Sequence, residues 1–113
     1  MRNNQILYLT EILTFLDSID PKASAKIIYN IQKVLHANFL DSDLFKKLDD
    51  EIWEFRTLYS GVQYRLLAFW CPYTESLIIA SNGFIKKTQK TPLKELNRAR
   101  LIRKQYLLAY EKK

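Results

Sequence analysis

The segment 83–92, GFIKKTQKTP, combines three lysines with two threonines and contains no acidic residue. A run of this kind can hold an anion, because each ammonium group offers both charge and hydrogen-bond donors. The excess of positive charge continues beyond this segment. From Lys86 onward the chain carries ten of its 18 Lys and Arg residues but only two of its 12 Asp and Glu residues. This asymmetry is typical of a protein that binds nucleic acid or an acidic partner. The alternative is that these cations are simply solvated on a helix surface.

Two arginines are the second chemical feature. They lie in the runs IWEFRTLY and VQYRLLAFW, which flank the turn signal Ser60-Gly61 and are typical of a β-hairpin. If the hairpin loop has two residues, Arg56 lies directly opposite Arg65. If it has three residues, Arg56 lies opposite Tyr64 and the arginines are diagonal neighbours.

Like charges that face each other across a sheet repel, so such a pair is tolerated where an anion lies between them. A guanidinium group is a planar, permanently charged partner for the two oxygens of a phosphate. The pair Arg56 and Arg65 therefore favours a phosphate site. The competing interpretation is that each arginine forms an ion pair with a nearby acid, Glu54 or Glu75, at the sheet edge.

The elements that position these residues follow from periodicity and turn signals. QILYL is either a short strand or the start of a longer helix. TEILTFLDSI is a helical pattern, Asp20-Pro21 starts a second helix that runs to about residue 38, and DSDLFKKLDDE is a polar connection with an apolar insert. After the hairpin, LLAFW predicts a central strand, SLIIAS another strand, and Asn82-Gly83 a kink or bulge. Thr91-Pro92 is expected to cap a final basic helix over residues 93–110.

These patterns predict one α+β domain over residues 1–113, with an N-terminal helical hairpin packed on a small antiparallel sheet and a basic C-terminal helix. The single Cys71 cannot form an internal disulfide, and no Cys/His cluster predicts a metal site. No apolar run approaches a membrane span and the N-terminus is a poor signal peptide, so we expect a cytoplasmic protein. His36 lies in the second helix pattern, remote from the basic segments, and is interpreted as structural.

The motifs WEFR, YRLLAFW and GFIKKTQKTP, in that order and followed by a basic helix, resemble the RelE/HigB-type toxins of bacterial toxin–antitoxin pairs. The phage-derived HigB-like branch is the most similar, and the resemblance covers residues 44–106. It implies a RelE-like fold and a ribosome-dependent endoribonuclease that cuts mRNA and inhibits translation. In that reaction a ribose 2′-hydroxyl attacks the adjacent phosphate, which requires a base, an acid and positive charge on the phosphate oxygens.

The resemblance also assigns site residues. They are Arg56, Arg65 and Lys87 for catalysis, and Lys86, Lys90, Lys94, Arg98 and Tyr64 for RNA binding. A lysine among other cations has a lowered pKa, which would suit a proton-transfer group. The competing role for each lysine is docking to ribosomal RNA, and that for Tyr64 is packing in the core. Several such toxins place a Tyr, His or acidic residue near the C-terminus in the active site; here Tyr106 or Tyr110 either has that role or only packs the helix, and the general base is unassigned.

The implied partners are a cognate helix-turn-helix antitoxin, the ribosome with its mRNA, and operator DNA only through the antitoxin. No cofactor, metal or membrane is implied. Two other functions remain open: a non-nuclease toxin of the ParE type that binds DNA gyrase, and an inactive member that only binds its antitoxin.

Overall fold

A five-stranded sheet with helices on both faces forms the molecule. The computed structural model describes residues 3–112. The elements in chain order are β1 Gln5–Tyr8, α1 Thr10–Ser18, α2 Pro21–His36, β2 Phe45–Lys47, β3 Trp53–Tyr59, β4 Val62–Trp70, β5 Leu77–Lys86 and α3 Leu93–Glu111.

The sheet has the order β1-β5-β4-β3-β2 and is mixed. β1 runs parallel to β5, from the pair Gln5 and Leu77 to the pair Tyr8 and Ala80, whereas the other neighbours are antiparallel. The predicted fold class is therefore wrong in two respects. The first element of the described residues is a strand rather than a helical hairpin, and the sheet is neither purely antiparallel nor small. β2 also lies inside the segment that was predicted to be a polar connection.

The β3–β4 hairpin settles the register that the sequence left open. Ser60 and Gly61 have φ values of 50° and 79° and form a two-residue loop. Both positions in this kind of tight hairpin turn need positive φ, which glycine adopts without strain. Tyr59 consequently pairs with Val62, and Arg56 pairs directly with Arg65.

Strand residues alternate between two apolar layers, one on each face of the sheet. α1 and α2 cover the first layer, whose buried residues are Ile12, Ala23, Ile27, Ile31, Val34, Leu35, Phe45, Phe55, Tyr64, Leu66, Ala68, Ile78 and Ala80. α3 covers the second layer, whose buried residues are Ile52, Leu67, Phe69, Cys71, Ile79, Phe84, Ala99 and Ile102. β4 contributes to both layers, which confirms that it is a central strand covered on both faces.

β5 contains a bulge, and the residue that follows it is hydrogen-bonded to the first turn of α3. Leu67 pairs with Asn82 while the next residue of β4 pairs with Ala80, so Ser81 is the extra residue. Its hydroxyl donates to the Leu67 carbonyl over 3.0 Å. The Asn82 amide donates to the Glu95 carbonyl over 3.2 Å, which ties the first turn of α3 to the strand. The predicted irregularity therefore exists, one residue before the Asn82-Gly83 pair.

The two predicted helix caps have different outcomes. The Asp20 carboxylate accepts a hydrogen bond from the Lys22 backbone N–H over 2.8 Å, which confirms the start of α2. Thr91, in contrast, does not cap α3. The N-terminal flanking residue is Pro92, with no side-chain cap, and the Thr91 hydroxyl points to the sheet instead. In residues 3–112, no helix combines the length and apolarity needed to cross a membrane.

Candidate anion-binding site

Four cations form a row across the second face of the sheet, beside the first turn of α3. We call Lys46, Arg56, Arg65 and Lys86 the cation row, and they come from β2, β3, β4 and β5 respectively. Alternation places them on this face, because their neighbours Phe45, Phe55 and Tyr64 belong to the first layer. Four successive strands thus each contribute one positive charge to a single surface.

One buried carboxylate lies within the cation row. Glu54 is 1% exposed. Its Oε1 lies 3.4 Å from the Nε of Arg65 and 3.7 Å from the Nε of Arg56, and its Oε2 accepts a hydrogen bond from Thr91 over 2.7 Å. The ion-pair interpretation of the two arginines is therefore partly right, with Glu54 as a shared partner in the sheet interior. A single negative charge does not neutralise two guanidinium groups with lysines beside them.

The two arginines retain unused hydrogen-bond donors. Arg65 is 4% exposed and donates to the Tyr64 carbonyl over 3.1 Å and to the Gln63 side chain over 2.6 Å. Arg56 donates to the Ser42 carbonyl over 3.4 Å. The Nε of each arginine is nevertheless buried without a hydrogen-bond acceptor among residues 3–112, because the Glu54 contacts do not meet hydrogen-bond geometry. A buried donor without an acceptor is costly, and an anionic oxygen would satisfy it.

An open cleft of about 680 Å³, here called the main cleft, adjoins the cation row. Its lining residues are Arg56, Gly61, Val62, Gln63, Ile85, Lys86, Lys87, Thr88 and Gln89. A smaller cleft of about 320 Å³ lies on the other side of Lys86, and both Glu54 and Lys90 line it. The loop between β5 and α3 therefore forms a wall of both clefts, and the Thr91–Glu54 hydrogen bond attaches this loop to the sheet.

The electrostatics of the cation row change the protonation of its members. Burial lowers the pKa of Lys86, and the nearby charges of Arg65, Arg56 and Lys46 lower it further, while Glu54 opposes them. Burial also lowers the pKa of Arg65, and Glu54 counteracts this. The guanidinium keeps its charge, because arginine does not deprotonate in proteins near neutral pH. Lys86 therefore gives up its proton more easily than an ordinary lysine does.

The structure brings together five of the predicted site residues, namely Arg56, Arg65, Lys86, Lys87 and Lys90. It does not bring in the other three. Tyr64 is 6% exposed and packs in the first layer, on the opposite face from Arg65. Lys94 is exposed on α3 and lines none of the clefts described here. Arg98 forms an ion pair with Glu11 of α1, with an Nε to Oε1 distance of 2.9 Å.

Sequence reasoning missed two members of the site. Lys46 was placed in a connection rather than a strand, and Thr91 was assigned to a helix cap. The available signal for Lys46 was the apolar insert around Phe45, which alternates with lysine as a half-buried strand does. Thr91 carried no such signal, because its contact with Glu54 joins residues 37 positions apart.

The remaining candidate residues lie away from the cation row. His36 contacts Asn3 at the end of α2, with 3.4 Å between Nδ1 and the Asn3 Oδ1. The Tyr106 hydroxyl donates to the Cys71 sulfur over 3.2 Å, and burial raises the pKa of Tyr106 to about 12. In the described range, residues 3–112, no group of three or more His, Cys, Asp and Glu side chains could hold a metal ion.

Residues 14–104 match the family described as phage-derived protein Gp49-like (DUF891), and the chain belongs to this family. The family is related to the RelE-type toxins of toxin–antitoxin systems, although no specific match to RelE or HigB is found. A comparison with curated proteins finds no match.

Proposed function

We propose that this Gp49-like protein is the toxin of a toxin–antitoxin pair and acts as a ribosome-dependent mRNA endoribonuclease. The observation that carries the proposal is the pair of buried Nε donors on Arg56 and Arg65, which lack acceptors and border an open cleft. A phosphate between them would satisfy both donors and match the surplus positive charge. Family membership supports the toxin class, since the family is related to such toxins.

The proposed reaction is transfer within the RNA. The ribose 2′-oxygen forms a bond to the adjacent phosphorus, the bond from phosphorus to the 5′-oxygen breaks, and a 2′,3′-cyclic phosphate and a 5′-hydroxyl result. A base removes the 2′-hydroxyl proton and an acid protonates the leaving oxygen. Arg56 and Arg65 stabilise the charge that develops on the phosphoryl oxygens, a role that fixed donors perform without reorganisation.

Lys86 is the proposed proton-transfer group, in place of Lys87. It faces the cation row and its pKa is lowered from the ordinary lysine value, which makes it better suited to proton transfer than an isolated lysine. Lys87 and Lys90 then contact the RNA backbone. Glu54 acts as a positioning residue, because it holds both arginines and, through Thr91, the loop that follows β5.

The proposed partners follow from the charge of the site. An antitoxin that inhibits this protein would present acidic side chains to the main cleft and the cation row. It would be a helix-turn-helix protein, and operator DNA would be bound only through it. The proposed targets are the ribosome and its mRNA, with no cofactor, in the cytoplasm.

A second candidate is a non-nuclease toxin that binds DNA gyrase. One observation favours it: both arginines lie within ion-pair distance of Glu54, which is what an architectural role for them would require. The two candidates differ in whether RNA is cut when the protein is expressed.

The test is inducible expression with mapping of new mRNA 5′ ends. The wild type is compared with Arg56→Ala/Arg65→Ala, here called the strand variant, and with the control Arg98→Ala/Arg100→Ala, which removes the same charge from α3. We expect wild type and control to stop growth and cut translated codons, and the strand variant to cut at least 100-fold less. A further variant, Arg56→Lys/Arg65→Lys, keeps the charge but loses the guanidinium fork. It checks that a loss of cutting by Arg56→Ala/Arg65→Ala does not come from misfolding.

Growth arrest without cuts would favour the gyrase-type candidate. A folded wild-type protein without any effect would leave an inactive, antitoxin-binding member. Cuts by the strand variant at the wild-type level would remove the arginine pair from the mechanism.

A further inference from the structure

A second cleft lies around the edge of β3, next to α2. This edge groove has a volume of about 450 Å³. Its lining residues are Lys26, Asn30, Lys33, Asp43, Leu44, Arg56, Thr57, Leu58, Gln63 and Arg65. Arg56 and Gln63 line both the main cleft and the edge groove, so the two adjoin at these side chains. A chain that leaves the main cleft can therefore follow the groove onto α2.

The outer surface of α2 is a regular basic stripe. Lys22, Lys26, Tyr29, Lys33 and His36 recur at intervals of four and three residues, which places them on one helix face. We call this set the α2 stripe. The helix sequence PKASAKIIYNIQKVLH contains no acidic residue, although the chain before Lys86 has more acids than bases. Helix α2 is therefore positively charged, whereas the part of the chain before Lys86 as a whole has a slight excess of negative charge.

Tyr29 holds the two lysines that line the edge groove. Its ring is 57% exposed, with the Lys26 Nζ 5.0 Å and the Lys33 Nζ 5.6 Å from its centroid. Cation–π contacts of this length restrict both ammonium groups to the region beside the groove. The two lysines are seven residues apart, or about 10 Å along the helix, which lets them contact successive parts of one extended polyanion.

The groove also offers an apolar surface. Leu58 is 64% exposed, and it lines the groove together with the cationic side chains of Lys26, Lys33, Arg56 and Arg65. A nucleobase has an apolar face that packs on such a side chain, while the strand's phosphates contact the lysines. A single acid, Asp43, lies among the groove residues that the structure places there. This combination suits single-stranded RNA, in which every nucleotide supplies both a phosphate and a base face, whereas a peptide of acidic residues alone supplies only the charge.

We infer that the edge groove and the α2 stripe bind the single-stranded RNA that flanks the phosphate held at Arg56 and Arg65. The inference rests on the proposed function in one respect, namely that an RNA phosphate lies between Arg56 and Arg65. Lys26 and Lys33 are the phosphate contacts of this surface, and Tyr29 is a positioning residue that acts through them.

The test is fluorescence anisotropy with two RNAs that cannot be cut, because every ribose is 2′-O-methylated: a 12-nucleotide strand and a 3-nucleotide strand. The key variant is Lys26→Ala/Lys33→Ala. The matched control is Lys104→Ala/Lys112→Ala, which removes the same charge from exposed positions on α3 and at its end.

We expect the key variant to bind the 12-nucleotide RNA about tenfold more weakly than the control does, with no difference for the 3-nucleotide RNA. The slope of log affinity against log salt should fall by about 1.4, since each lost phosphate contact on a single strand contributes roughly 0.7. Tyr29→Ala should weaken binding by roughly a factor of three, and Tyr29→Phe should restore it, because the ring and not the hydroxyl holds the lysines.

Equal affinities of the key variant and the control for the long RNA would overturn the inference, and so would failure of the wild type to bind it. Tighter binding of a twelve-residue poly-glutamate peptide through the same lysines would assign the surface to an acidic protein instead. The outcome is separable from the cleavage test. If the key variant loses RNA binding but the wild type makes no cuts in cells, the proposed function fails and the RNA-binding role of this surface stands.

Discussion

The cation row and helix α3 are both rich in positive charge, yet the structure uses that charge differently. On α3 each of three arginines has its own carboxylate: Arg98 pairs with Glu11, Arg100 with Asp49 and Arg103 with Glu51. In the cation row, Glu54 is shared by two arginines. The helix charges attach α3 to α1 and to the connection before β3, whereas the strand charges remain in excess. Local charge density in a sequence therefore does not identify a binding site until the counter-charges are placed.

The largest contrast should appear when a carboxylate is removed from each region. Glu54→Gln should lower the free energy of unfolding by about 3 kcal/mol, because it leaves two guanidinium groups beside each other without a counter-charge. The matched change Glu51→Gln should cost less than about 1 kcal/mol, because that pair is largely exposed. Urea denaturation monitored by tryptophan fluorescence measures both values. Similar losses would show that the two regions are energetically alike.

A subtler contrast concerns the titration of Lys86. Glu54→Gln should lower the pKa of Lys86 further, because Glu54 is the group that raises it, and Arg56→Gln should raise it. Arg100→Gln, which removes the same charge from α3, should leave it unchanged. NMR titration of the lysine side-chain signals would report each direction. If Glu54→Gln and Arg56→Gln moved the pKa the same way, the electrostatic description of the cation row would be wrong.

The lowered pKa of Lys86 also makes the stability of the protein depend on pH. The pKa of Lys86 is lower in the folded protein than its ordinary value of 10.5, so between the two values the unfolded chain binds the proton and the folded chain does not. The contribution of Lys86 to the free energy of unfolding therefore rises with pH through this window. Lys86→Met should remove that alkaline rise, as measured by unfolding at a series of pH values.

The smallest effect is expected on the α3 side, at Asp49. Burial raises the pKa of Asp49, but backbone N–H groups of Glu51 and Ile52 and the Arg100 guanidinium outweigh it and lower the pKa below 3.8. The stabilisation is present above 3.8 and is lost as pH falls through the folded pKa. Asp49→Asn should reduce the loss of unfolding free energy at acid pH by less than about 1 kcal/mol, since the group is partly exposed. If the unfolding free energy of the variant showed the same dependence on acid pH as the wild type, the pair with Arg100 would contribute nothing measurable.

The parts of the fold that were predictable are those set by neighbours in the chain. Asp20-Pro21 predicted the start of α2, where the Asp20 carboxylate accepts from the Lys22 N–H, and Ser60-Gly61 predicted the hairpin but left its register open between a two-residue and a three-residue loop. Arg56 faces Arg65 because the loop has two residues. The sequence could not show whether QILYL forms a strand or a helix, because four residues carry little periodicity. The strand partner of β1 is β5, which lies far along the chain.

The same limit applies to the candidate site. The lysine loop and the arginine pair were visible as patterns, and Glu54 was one of two acids considered as a partner. Which lysine faces inward depends on the strand alternation that continues to the end of β5, and this favours Lys86 over Lys87. The assignment of Arg98 to RNA binding missed its pairing with Glu11, because that contact spans 87 positions.

The position of β5 has a consequence for how the protein is made. It is the last strand to be synthesised, yet it lies between β1 and β4. The pair Gln5 and Leu77 joins residues 72 positions apart, so β1 has no neighbour until most of the chain has been translated. Non-local pairing of this kind slows folding. Lys86, the last residue of β5, joins the cation row only at that stage. A nascent chain of this protein therefore keeps an incomplete sheet, and an unassembled charged surface, until β5 has been translated.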